Sequence, residues 1–222
     1  MARTLTAAAA LSLVAAILLL VMLGIAIHSG GITQQRFEHF MPLAEYQAQF
    51  LAAQSVITTT LIFDNLFLMA YTLAIAMSAG TLMQADTRVA GYLAIAGMLA
   101  TGLLDLAENL NFLTFYATLS AGGALSEGAI AGQMWASMFK CHVAYGALLA
   151  LSFVIPVNGT ASAILVWSLR LVLPPVGVLI YAGPDAFRPA LSLARYALML
   201  SGFVLLALVL LGYARRAEHG QA

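Results

Sequence analysis

The sequence predicts an all-α, polytopic integral membrane protein: a bundle of six transmembrane helices with both termini cytoplasmic. Three observations carry this. The 222 residues are 63% hydrophobic and 8% charged, whereas soluble domains average about 45–50% apolar and about 25% charged. Mean hydropathy is +0.97. Six stretches are each long enough to cross the hydrocarbon, which takes about 20 mostly apolar residues. The nine basic and nine acidic residues balance, so nothing favours nucleic acid as a partner. A single cysteine excludes an intramolecular disulfide or a CxxC motif, and the four histidines make no HExxH.

The six segments are expected near residues 5–27, 55–79, 89–118, 134–155, 161–181 and 190–213, in a single membrane domain spanning residues 1–222. The first follows Arg3, but its apolar run exceeds the 7–15 residues of a signal h-region, so it reads as a retained anchor. Turn-forming residues punctuate the rest: Ser29-Gly30-Gly31, Gln84-Ala85-Asp86, Ala121-Gly122-Gly123 with Ser126-Glu127-Gly128, Pro156-Val157-Asn158-Gly159 and Gly183-Pro184-Asp185. Residues 29–54 form an outer loop too polar to span. Its Phe37, Phe40 and Met41 are spaced for a helical face that Pro42 interrupts. A short helix on the outer membrane surface, packing on neighbouring helices, is favoured over a lid across a cavity. Arg3, Arg88, Arg215 and Arg216 fall on the side of the termini, against Arg36 and Arg188 on the other. The positive-inside rule therefore puts the termini in the cytoplasm, in a bacterial cytoplasmic (inner) membrane.

Six charges interrupt the apolar segments: Asp64, Asp105, Glu108, Lys140, Arg170 and Arg195. Unpaired in hydrocarbon, they would cost on the order of 15–20 kcal/mol on insertion scales, more than a typical domain's whole stability. Three acids can meet three bases. At about 1.5 Å per residue, Lys140 and Arg195 lie roughly 9 Å from the outer ends, Asp64, Glu108 and Arg170 about 14–16 Å, and Asp105 about 20 Å. One polar cluster in the outer half is expected.

Helical spacing sharpens this. Thr101, Asp105, Glu108, Asn109, Phe112 and Tyr116 share a face of the third segment, and Thr60, Asp64, Phe67 and Tyr71 share one of the second. Ser137 and Lys140 share a face of the fourth, while His142 points about 200° away from Lys140. The tandem Pro174-Pro175 opposes the carbonyls of Arg170 and Leu171 and predicts a kink. Ala70, Ala74 and Ser78 form a small-residue ridge for close helix approach, and Gly146 with Ala150 begins another. Ten scattered methionines read as packing material rather than copper ligands.

Three function classes remain. The first is binding or transport of a small polar or amphipathic ligand or proton, with Asp64, Asn65, Tyr71, Asp105, Glu108, Asn109, Tyr116, Lys140, Arg170 and Arg195 as candidate site residues. The second is a membrane-embedded enzyme acting on a lipid-like substrate. It would use a divalent metal as cofactor, with Asp64, Asp105, Glu108 and His142 as candidate ligands, or Lys140 with a carboxylate as base and acid. The third is an accessory subunit in which the charges only fix helix register. Expected partners are the lipid bilayer and a homo-oligomer or larger membrane complex. The first class is favoured, because Asn65, Asn109, Asn111, Thr101, Tyr71 and Tyr116 add more polar groups at this depth than pairing alone requires.

Overall fold

The structure is a computed structural model that describes residues 1–39 and 41–219. Phe40, expected on the loop's helical face, lies outside the described residues, as do residues 220–222. Among the described residues there is no strand. The chain runs through α1 (Ala2–His28), a 3-10 turn (Gln34–Glu38), α2 (Leu43–Ala52), α3 (Gln54–Leu82), α4 (Arg88–Ser120) and α5 (Glu127–Val154). It continues through α6 (Thr160–Trp167), a π-helical segment (Ser168–Val172), α7 (Leu173–Ala182), a second 3-10 turn (Asp185–Phe187) and α8 (Arg188–Glu218). Six helices are long and apolar enough to cross a membrane, with α6, the π segment and α7 counting as one. This is compatible with an integral membrane protein.

The helices extend beyond their apolar runs, and in α5 the extension matters. Its first turn is fixed by Ser126, whose Oγ accepts the Ala129 amide at 3.1 Å, and by Glu127 at the positive end of the helix. Hydropathy alone misses such a polar start. The added residues carry Lys140 from an expected depth of about 9 Å to about 20 Å, level with Asp105 on the antiparallel α4.

The packing forms a ring: α1 sits between α3 and α8, α3 packs on α4, α4 on α5, α5 on α7 and α7 on α8. The α4–α5 seam closes through Gly97, where an added Cβ would meet the Ala147 Cβ at 2.9 Å. The ridge on α5 thus passes through Ala147; Gly146 is exposed and has open space around it. At Gly177 a Cβ would overlap the Tyr145 ring, so this glycine lets α7 lie against α5.

The tandem prolines act as a change of helix register. Pro174 and Pro175 cannot donate amide protons and crowd the carbonyls one turn back. The chain widens into the π segment at Ser168–Val172 and restarts as α7 with both prolines in its first turn.

The loop is the largest departure from expectation. Its first helical turn ends at Glu38, and His39 is extended, with φ −121° and ψ 150°. The chain re-enters helix only after Pro42. The loop packs on neighbouring helices, as expected, but with its rings buried rather than laid along a surface. Phe37, Tyr46 and Phe50 are buried, and Phe50 stacks on Tyr116 of α4 with ring centroids 4.0 Å apart. Burial, and then the charge of Glu108, push the Tyr46 phenol pKa above its ordinary value, so it stays neutral. This aromatic plug, completed by Phe112, closes one side of the loop end.

Candidate functional site

Five of the six charges within the apolar helices gather at one level, and Arg170 stands apart. Lys140 sits between two carboxylates of α4: its Nζ is 2.8 Å from Asp105 Oδ1 and also bonds Glu108 Oε2. Asp105 and Glu108 are three residues apart on one helical face, so a single lysine can span both. The remaining acceptor positions are filled. Tyr71 donates its hydroxyl to Asp105 Oδ2 at 2.9 Å, and Ser137 donates to Glu108 Oε1 at 2.7 Å. Glu108 is fully buried. A charge-assisted network completed in this way is what makes buried ions tolerable.

Asp64 is placed differently. Its Oδ2 accepts the Asn109 side-chain amide at 2.7 Å, and that amide also reaches Asn65 Oδ1 at 3.2 Å. Asn109 in turn accepts from Gln34 Nε2 at 3.1 Å, which ties the loop to α3 and α4. Among the described residues no basic side chain lies within ion-pair reach of Asp64, which is half-buried. Three carboxylates therefore surround one lysine.

Arg195 of α8 pairs with a residue that helix-based reasoning passed over. Its Nη2 is 3.7 Å from Glu38 Oε2, both side chains being buried, and its Nη1 approaches Cys141 Sγ at 3.7 Å. Glu38 lies in the loop, where a charge is expected to be solvated, so its sequence position held no sign of this role. Gln34 was missed for the same reason. Gln133, which accepts from Asn111 at 3.0 Å, lay outside the expected fourth segment.

Arg170, Tyr116 and His142 do not join the site. Arg170 faces away from it: its guanidinium donates to the Ser152 hydroxyl and carbonyl at 3.1 and 2.8 Å and lies over the rings of Phe153 and Trp167. The π segment that carries it changes the helical phase assumed from a regular repeat. Tyr116, about three turns beyond Asp105, belongs to the aromatic plug. His142 is exposed, with Nδ1 2.8 Å from the Met138 carbonyl and its ring near Tyr181. Among the described residues no group of three His, Cys, Asp or Glu side chains is placed to hold a metal ion. The expected ligand set of Asp64, Asp105, Glu108 and His142 is thus not assembled.

What the charged groups do border is a large cavity of about 700 Å³ between α1, α3, α5 and α8. It opens where α1 and α8 lose their buried faces. The buried residues of α1 all lie at or before Leu19, and those of α8, apart from Arg195, begin at Leu206. Beyond these points Met22, Leu23 and Ala26 of α1 and Ser192, Leu198 and Met199 of α8 become cavity wall. Arg36, His39 and Arg188 line the loop end. Asp64, Tyr71, Asp105, Lys140, Glu38 and Arg195 form a polar belt, and Ile75, Met98, Leu151, Leu165 and Leu206 line the far end. From Lys140 to Leu151 along α5 the apolar part extends about 16 Å. Comparison with family models, with curated proteins and with solved structures gave no match for this chain.

Proposed function

We propose that the protein binds, and by binding carries or presents, an amphipathic ligand in the cavity between α1, α3, α5 and α8. One observation carries this reading: a half-buried carboxylate without a basic partner, Asp64, borders a cavity of about 700 Å³ whose far wall is apolar. A structural lock needs neither the space nor an unpaired charge. Ligand sites are concave, mostly apolar and carry a few convergent polar groups, with volumes of about 300–1,000 Å³. The polar belt would take the head of the ligand and the far chamber its tail. The loop, tied in by Gln34 and Glu38, would act as the cover. In the membrane the loop would face outward and the termini the cytoplasm, because Arg3, Arg88, Arg215 and Arg216 outnumber Arg36 and Arg188.

The test is occupancy. Leu198→Trp and Met199→Trp put bulk into the cavity wall. Octyl glucoside should bind the wild-type protein in lipid nanodiscs above the level of empty nanodiscs. The tryptophan variants should lose that binding while keeping their helical circular dichroism. Absence of saturable binding to the wild-type protein would overturn the proposal.

A further inference from the structure

We infer that the head group the cavity accepts is a cation, an alkylammonium carried on an apolar tail, held by Asp64 and the rings beside it. This rests on the amphiphile-binding reading above and adds the class of ligand. Charge arithmetic comes first. At the depth of the polar belt, four carboxylates (Glu38, Asp64, Asp105 and Glu108) face two bases (Lys140 and Arg195). Both bases already have carboxylate partners. Among the described residues Asp64 has amide hydrogen bonding and no ion pair, and it borders the cavity. An unneutralised carboxylate in a low-dielectric setting is stabilised by whichever cation can reach it.

The second observation is independent of the carboxylates. Phe67 and Tyr71 follow Asp64 on the same face of α3, at i+3 and i+7. The Phe67 ring lies 5.0 Å from Tyr71 and meets Phe203 of α8 edge-on at 5.7 Å, and all three rings line the cavity. Aromatic faces beside a carboxylate are the chemistry that recognises ammonium groups. Tyr145 also lines the cavity, with its hydroxyl buried beside Arg195. The tail would then lie against Ile75, Leu151 and Leu206.

Arg36 and Arg188 at the mouth make an anionic head the competing outcome. Three probes with the same tail decide it: octyltrimethylammonium, octyl glucoside and octyl sulfate, titrated into the full-length protein in nanodiscs with empty nanodiscs subtracted. Octyltrimethylammonium should bind at least roughly tenfold tighter than octyl glucoside. Asp64→Asn should remove that preference, so that the variant binds octyltrimethylammonium no tighter than it binds octyl glucoside. Phe67→Leu should reduce the preference without abolishing it. Equal binding of the cationic and neutral probes, or tighter binding of octyl sulfate, would overturn the cationic head and leave the amphiphile site standing. If octyl glucoside also fails to bind, the amphiphile reading fails with it.

Discussion

The α4–α5 seam and the wall formed by α3 and α8 treat buried charge in opposite ways. Along the seam, Gly97 lets the backbones come close, and every carboxylate oxygen of Asp105 and Glu108 has a donor: Lys140, Tyr71 or Ser137. Across the cavity, α3 and α8 meet through the edge of Phe67 on Phe203, and among the described residues Asp64 has no ion-pair partner. The same residue types at similar depth thus serve two ends. Where helices touch, ions are completed and contribute to fixing the register. Where helices part, an ion left incomplete marks a place for something else. A buried charge in a membrane helix is therefore informative only together with its list of partners.

The largest effect should come from opening the seam. Lys140→Met strands two buried carboxylates, and breaking a buried pair from one side costs about 3–5 kcal/mol. Thermal unfolding in a single detergent should show a strongly destabilised protein. Adding Asp105→Asn and Glu108→Gln should recover most of the loss, because no charge is then left uncompensated. A Lys140→Met protein that melts like wild type would show that the ions do not hold the seam.

A smaller loss is expected at the plug. Phe50 is fully buried and touches Phe37, Tyr46, Phe112, Phe115 and Tyr116. Truncating a buried Phe to Ala costs about 3–5 kcal/mol in a rigid core, and the low end applies to a loop able to collapse onto the gap. Phe50→Ala should lower stability by about 3 kcal/mol and speed amide exchange in the loop more than in α4. Uniform protection across both would mean that the loop is held by Gln34 and Glu38 rather than by the rings.

How much of this was legible in the sequence follows from which forces act locally. The six long apolar helices were legible because bilayer thickness imposes a length that hydropathy reads directly. The buried face of Thr101, Asp105, Glu108, Asn109, Phe112 and Tyr116 was legible because a regular helix repeats, and all six residues are buried. The regular repeat also misled. The π segment moves Arg170 away from the site, and a polar helix start extends α5 and lowers Lys140 to the level of Asp105. The loop was opaque for a different reason. Glu38 and Gln34 look solvated in sequence, and only the three-dimensional path that seats the loop gives them Arg195 and Asn109. The cavity was equally hidden, since it opens where α1 and α8 lose their buried faces, which no spacing within either helix encodes.

The smallest stability effect should be at Asp64, and it sharpens the comparison most. Asp64→Asn keeps an oxygen that can accept the Asn109 amide and removes an acidic group near Asp105 and Glu108. Nothing in the packing is lost, and no cation is stranded. Stability should stay within about 0.5 kcal/mol of wild type or rise. The contrast with Lys140→Met is the point: removing one ionisable group at similar depth gives opposite outcomes, because only one of the two is completed by the protein itself. A loss at Asp64→Asn comparable to that at Lys140→Met would place Asp64 inside the structural network, and the cavity would then need no ligand to explain its charge.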